Sequence, residues 1–214
     1  METISVLESG LVLLSLGILA AYHIHLACKV HHRPLETSIG ITNHLRRRWA
    51  QTIMRERRDV LAVQTLRNWT MASSFLASTA MLISLGILNT AIKPSGFSEI
   101  SHALNLFGTR SETLWLIKML LLVIVFFFSF FNFTLAIRYF NHAGFGLGIP
   151  DESDDIATHD FMTHIINTGS FHYTLGMRGY YLSIPFGLWI FGPIWMLAGT
   201  VVLVLVLYKL DRTA

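Results

Sequence analysis

The residues best suited to binding or transport are eight polar side chains near the ends of apolar runs. They are Gln64, Arg67, Asn68, Arg138, Asn141, His142, Arg178 and Tyr181. Gln64, Arg67 and Asn68 form one group, and Arg138, Asn141 and His142 form another. Within each group the residues are spaced by three and four, which places them on one face of a helix. Because the planar guanidinium of arginine pairs with carboxylate and phosphate groups, the eight residues could bind an anion or a lipid head group, or line a path for ions.

The same residues also fit a structural role as interfacial anchors and contacts between helices. Arg67 bears most directly on this choice, because an arginine at the centre of a membrane span costs on the order of 3 kcal/mol. Arg67 lies close to the predicted start of its span, where its side chain can reach the interface and most of that cost disappears. A buried polar cluster and ordinary anchoring therefore remain open alternatives.

The weak candidates for a metal site are two pairs of residues spaced by four, as on one side of a helix: Asp155 with His159 and Asp160 with His164. The sequence contains no HExxH or CxxC motif. A haem held in a helix bundle would need histidines deep in two spans, and none lies there. No cofactor is therefore predicted, and metal or haem binding is kept as an alternative to a solvated, histidine-rich face.

Signatures of common enzyme classes are absent from the sequence. It contains no G-x-S-x-G nucleophile motif, no phosphate-binding Walker loop and no dinucleotide-binding fingerprint. Gly144-Phe-Gly-Leu-Gly148 is rich in glycine, but it follows an apolar run rather than a strand and so indicates a hinge. These observations favour a protein that is not an enzyme.

The composition is typical of a membrane protein. Hydrophobic residues make up 53% of the 214 residues and charged residues only 14%, whereas soluble domains contain about 25% charged residues. Half of the Lys and Arg residues lie between Lys29 and Arg58, beside an apolar run. That position favours anionic lipid head groups over nucleic acid as their partner. Cys28 is the single cysteine, so no internal disulfide is possible.

Four apolar runs have the length of about 20 residues that a membrane-spanning helix needs. They are predicted at about 4–27, 60–89, 113–140 and 180–208. Because excess Lys and Arg marks the cytoplasmic flank of a span, segments 28–59 and 141–179 are placed in the cytoplasm and loop 90–112 outside. The prediction is one all-α, multi-pass domain in the cell (cytoplasmic or inner) membrane, with both termini outside. Pro185 and Pro193 should bend the fourth span.

Amphipathic patterns predict short helices at the membrane surface between the spans. One begins near Thr42 or Asn43 and interleaves arginines with apolar residues. A second covers about 97–107 of the outer loop, and a third follows Pro150.

Two further patterns concern helix packing within the membrane. The second span has four small residues on one face, which lets a neighbouring helix approach closely: Ser73, Ala77, Ala80 and Ser84. Glu8 and Lys118 both fall near the outer ends of their spans. They could form an ion pair, or Lys118 could extend alone to the head groups.

Three stretches of the chain resemble the family known as domain of unknown function 599. They are Arg55-Glu-Arg-Arg-Asp59 with 62–68 and 75–78, the phenylalanine-rich span that ends at Arg138 and Asn141-His142, and Gly176-Met-Arg-Gly-Tyr-Tyr181 with Pro185 and Trp189. The resemblance implies an integral membrane protein with a few helices. It implies no chemistry and assigns no catalytic residue.

Three functions are compatible with these observations. The first is a non-enzymatic membrane protein that acts as a subunit or accessory of a larger assembly, or as a homo-oligomer. The second is a channel or transporter with a basic, polar inner vestibule that includes Arg67, Asn68, Arg138 and Asn141. The third is a redox protein that binds a metal or haem. The expected partners are the lipid bilayer, anionic head groups, and other membrane subunits or further copies of the chain.

Overall fold

The computed structural model describes residues 6–92, 111–147 and 159–212. Within these residues six α-helices follow one another: α1 Val6–His32, α2 Ser38–Glu56, α3 Asp59–Ile92, α4 Glu112–Gly146, α5 His159–Trp189 and α6 Pro193–Asp211. A short 3₁₀ helix, Pro34–Glu36, joins α1 to α2. Of the described helices, α1, α3, α4 and α6 are long and apolar enough to cross a membrane. The predicted all-α membrane fold with four spans is confirmed.

Two predicted surface helices concern residues that the structure does not describe or describes only in part. The outer-loop helix at 97–107 and the helix start at Pro150 lie outside the described residues. The helix predicted after Pro150 corresponds in part to α5, which is described from His159 onward and continues to Trp189.

The fourth predicted span, 180–208, is divided by a turn at residues 190–192. Successive hydrogen bonds of 3.2, 3.1 and 3.0 Å close this turn at the end of α5. Gly192 has a φ of 134°, a backbone conformation that favours glycine. Pro193 then occupies the first turn of α6, where its missing N–H costs no hydrogen bond. The segment is thus the end of one helix and the beginning of the next, rather than one bent span.

α5 and α6 run antiparallel after this turn. Arg178, eleven residues before the end of α5, binds Asp211 at the last residue of α6. α6 in turn packs against α1 through a core that includes Leu19, Leu203 and Leu207. The last helix therefore returns along α5 towards the end of the bundle from which α5 came.

The described ends of the chain consequently lie at opposite ends of the bundle. Arg212 forms an isolated antiparallel β-bridge with Thr37, at the edge of the basic segment 29–58. Glu8, near the start of α1, instead contacts Lys118 near the start of α4. We call these the basic end and the far end. The predicted placement of both termini outside a membrane stays a prediction; the sequence did not predict α5 as a helix separate from α6.

α5 also runs antiparallel to α4, at very short range. A Cβ atom added at Gly176 would lie 2.7 Å from Cε1 of Phe133, which is closer than real Cβ contacts. Glycine at this position therefore lets the backbone of α5 approach the phenylalanine-rich face of α4. Further along, the Tyr180 hydroxyl donates a hydrogen bond of 2.8 Å to the carbonyl oxygen of Leu76 in α3.

These contacts divide the bundle into two layers. Since Arg178 binds Asp211 and Tyr180 bonds to Leu76, the end of α6 is level with the region of Leu76 in α3. α3 begins at Asp59, so it extends roughly 25 Å beyond that level. We call α2 together with 59–73, 136–147 and 159–173 the basic-end layer, and the rest of the bundle the span layer.

The basic-end layer has its own apolar core. It is formed by Ala50, Ile53, Met54, Ala62, Leu66, Ala136, Phe140, Ala143, Leu147, Met162 and Ile166. α2 contributes the first three of these residues, so its apolar face packs against the other helices of the same chain. The helix also begins earlier than predicted: Thr37, not Thr42 or Asn43, is the N-cap, and its hydroxyl accepts a 3.1 Å hydrogen bond from Gly40 N.

The antiparallel α5–α6 pair predicts which positions an impermeant thiol reagent reaches from each side of a membrane vesicle. Cys28 is exposed at the basic end. With Cys28→Ser as background, Arg212→Cys should be labelled from the same side as wild-type Cys28, and Ser9→Cys from the opposite side. Labelling of Arg212→Cys and Ser9→Cys from one side would contradict the described fold.

Candidate functional site

Six of the eight predicted site residues lie exposed on the outer faces of two helices. They are Gln64, Arg67 and Asn68 of α3, and Arg138, Asn141 and His142 of α4. All six belong to, or lie at the edge of, the basic-end layer. Within the part of the chain that the structure describes, they do not enclose a buried pocket. The spacing correctly placed each trio on one face of a helix, and the structure turns that face outward.

Arg178, by contrast, is buried and belongs to a polar contact between three helices. Its Nη2 lies 2.5 Å from Oδ2 of Asp211, and the side chains are only 10% and 14% exposed. The hydroxyl of Tyr22 in α1 donates a hydrogen bond to the same carboxylate oxygen. Tyr181 packs beside this contact against the apolar core between α1 and α6. The group joins α1, α5 and α6 at the basic end of the span layer.

A second buried ion pair lies at the far end of the bundle. Nζ of Lys118 is 3.4 Å from Oε1 of Glu8, and the two side chains are 4% and 1% exposed. The ammonium group also lies 5.3 Å from the ring centroid of Trp189, within the range of a cation–π interaction. Of the two alternatives considered for Lys118, the structure therefore forms the ion pair. The pair joins α1 to α4, and Trp189 adds the end of α5.

The small residues of α3 are buried within the chain. Ser73 and Ala80 are fully buried, and Ala77 and Ser84 are nearly so. The hydroxyls of both serines donate to carbonyl oxygens four residues earlier in the same helix, so they require no outside partner. Since α3 packs extensively on α4, this face serves the fold of one copy.

The weak metal candidates are not brought together by the described part of the chain. Asp160 is exposed and forms a 2.9 Å ion pair with Arg47 of α2. His164 is exposed as well. Asp155 and the side chain of His159 lie outside the description. Among the described residues no group of three metal-ligating side chains is close enough to hold an ion.

Sequence reasoning missed a pocket of about 210 Å³ between α2, α3, α4 and α5. Its walls include Trp49, Trp69 and Phe140, and Arg46 and Ser170 are its main polar groups. Arg46 donates a 3.0 Å hydrogen bond from Nε to Oδ1 of Asn167. The sequence signal was the alternation of arginines with Leu45 and Trp49, which was interpreted as contact with lipid.

Removal of one partner of the Arg178–Asp211 pair should lower the free energy of unfolding. Arg178→Leu leaves the carboxylate of Asp211 buried and unpaired, so we expect a loss of about 3 kcal/mol in thermal unfolding of the purified protein. The double variant Arg178→Leu/Asp211→Leu should lose less stability than Arg178→Leu alone, because it leaves no buried charge unpaired. Arg47→Leu is the control, because its exposed pair contributes at most about 1 kcal/mol. Equal losses from Arg178→Leu and Arg47→Leu would show that burial of the pair is unimportant.

Comparison with known proteins assigns the chain to a family. No curated protein and no solved structure matches it. A family model described as "Protein of unknown function, DUF599" matches residues 10–214. This match covers nearly the whole chain, including α1 to α6, and agrees with the resemblance in the three quoted stretches. The chain therefore belongs to the DUF599 family.

Proposed function

We propose that the protein is a non-enzymatic member of a membrane assembly, and that the outer polar faces of α3 and α4 bind a partner subunit or a second copy. The observation that supports this proposal is the exposure of Gln64, Arg67 and Asn68 at the same level of the bundle as Arg138 and Asn141. Among the described residues Gln64 lines only an open surface cavity with 57–61, and no cavity is lined by the other four, so their donors are available to another molecule.

The surroundings of these residues support contact with protein. Val60, Val63 and Phe145 are 74%, 55% and 81% exposed on the same two helices of the basic-end layer. Since this layer extends beyond the end of α6, water would contact these apolar side chains in the absence of a partner. Exposed apolar side chains beside arginines are typical of protein interfaces.

The distribution of charge supports a location for the protein. The arginines of α2 and of the segment 55–58 lie at the basic end, and Lys and Arg are enriched on the cytoplasmic side of membrane proteins. We infer a protein of the cell membrane whose basic end faces the cytoplasm. Anionic head groups would then surround the part of the basic-end layer that borders the span layer.

The assembly proposal predicts that charge reversal on this face separates the partners. Arg67→Glu combined with Arg138→Glu should convert a dimer or hetero-complex, observed by native mass spectrometry after mild extraction, into the single chain. Arg48→Glu changes an exposed arginine of α2 and should leave the assembly intact. A wild-type protein that is monomeric and partnerless in native membranes, as measured by crosslinking, would refute the proposal.

A channel or transporter is the second candidate, and the Glu8–Lys118 pair favours it. Ionisable groups buried in membrane spans are rare and often belong to ion or proton paths. In reconstituted liposomes, Lys118→Met and Glu8→Gln should then reduce ion or proton flux at least tenfold, whereas Arg48→Gln should not. The absence of flux from the wild-type protein would leave the pair with a structural role only.

A further inference from the structure

The pocket between α2 and α5 has the features of a ligand site that is independent of the proposed assembly face. Leu45 and Trp49 line it from α2, Trp69 from α3 and Phe140 from α4. Its volume of about 210 Å³ is below the range of about 300–1,000 Å³ for drug-sized ligands. A lining of this kind fits one flexible alkyl chain better than a rigid polycyclic ligand or a two-chain phospholipid.

Among the described residues one polar group of the pocket has no hydrogen-bond partner, and another has no counter-charge. Oγ of Ser170 is buried, and it has no hydrogen-bond partner among the described residues. Arg46 is half-buried and donates to the amide oxygens of Asn43 and Asn167. No carboxylate of the described chain pairs with this arginine, whereas the neighbouring Arg47 pairs with Asp160.

This arrangement leaves a positive charge at the edge of an apolar pocket. Burial lowers the pKa of the Arg46 guanidinium from its ordinary value, because the charged form loses hydration. An anion at this position would restore a favourable environment for the charge. A carboxylate or phosphate would also accept hydrogen bonds from the guanidinium N–H groups, which are among the stronger hydrogen bonds in proteins.

We propose that the pocket binds a single-chain amphiphile with an anionic head group, such as a fatty-acid carboxylate or an alkyl phosphate. The alkyl chain lies in the pocket against the side chains of Trp49, Trp69 and Phe140. The head group pairs with Arg46, and the hydroxyl of Ser170 donates a hydrogen bond to it. The position suits such a ligand, because the pocket lies in the basic-end layer close to its boundary with the span layer.

Quenching of tryptophan fluorescence by a brominated fatty acid tests the site in the intact protein, embedded in nanodiscs of zwitterionic lipid. Trp49 and Trp69 line the pocket, whereas the other three tryptophans, Trp115, Trp189 and Trp195, lie near the far end. We expect saturable quenching that disappears in Trp49→Phe/Trp69→Phe. Quenching that is unchanged in this double variant would overturn the proposal.

Substitutions of neighbouring arginines identify the role of the charge. Arg46→Gln should weaken binding of the fatty acid about tenfold, and Arg46→Lys should retain part of the affinity. Arg48→Gln is the matched control on the same helix, and it should bind like the wild type. Equal binding by Arg46→Gln and the wild type would refute the pairing with the head group.

Variation of the probe shows whether the pocket requires both the alkyl chain and the anionic head group. A brominated alkyl phosphate of the same chain length should bind in the same pocket. An alkyl trimethylammonium of that length should bind at least tenfold more weakly, because its charge repels Arg46. Displacement of the fatty acid by inorganic phosphate alone would show that the site recognises an anion without a chain, and would overturn the proposal. If Arg46→Gln does not fold, the comparison of these probes on the wild-type protein decides the question.

Discussion

The contact of Arg178 with Asp211 and Tyr22 determines how the helices of the span layer are arranged. One carboxylate at the end of α6 binds the guanidinium of α5 and the hydroxyl of α1. An unpaired charge at this depth would cost several kcal/mol, so the three helices are held at one level. The end of α6 therefore lies level with Tyr22 of α1, and the last ten residues of α1 extend past this level together with the remaining length of α3, α4 and α5.

The lengths of the helices show how far the bundle extends beyond the end of α6. α6 has 19 residues, about 28 Å of helix, which matches the roughly 30 Å hydrocarbon core of a bilayer. α3 and α4 have 34 and 35 residues and are nearly twice as long. Their outward faces change accordingly: Phe75 and Leu82 are exposed in the span layer, whereas Arg67 and Asn141 are exposed in the basic-end layer. The polar residues thus lie on the part of α3 and α4 that extends beyond the end of α6.

Hydropathy and residue spacing predicted much of this fold. Long apolar runs identified α1, α3 and α4, and also α6 although they merged it with the end of α5; small residues at spacings of three and four identified the buried face of α3. Periodicity could not show that the faces with Arg67 and Arg138 point outward, because a repeat defines a face without defining its direction. Opposite charges near the outer ends of two spans were enough to suggest the Glu8–Lys118 pair.

The elements that sequence reasoning missed depend on contacts between distant residues. α5 mixes Gly, Tyr, Ser and His with apolar residues, so its hydropathy is low for a span, although Gly176 and Gly179 place it tightly against α4. The Gly192-Pro193 dipeptide was the available signal for the turn, since this pair marks chain reversals. Arg178 and Asp211 are 33 residues apart, and only that turn brings them together. The pocket at Arg46 likewise requires four helices to meet.

Spin labels along the exposed face of α3 test the two-layer arrangement most directly. Labels at Val63 and Arg67 should be accessible to a water-soluble nickel chelate, whereas labels at Phe75 and Leu82 should be accessible to oxygen and shielded from the chelate. A lipid-like accessibility pattern at all four positions would place the basic-end layer inside the bilayer and contradict the account.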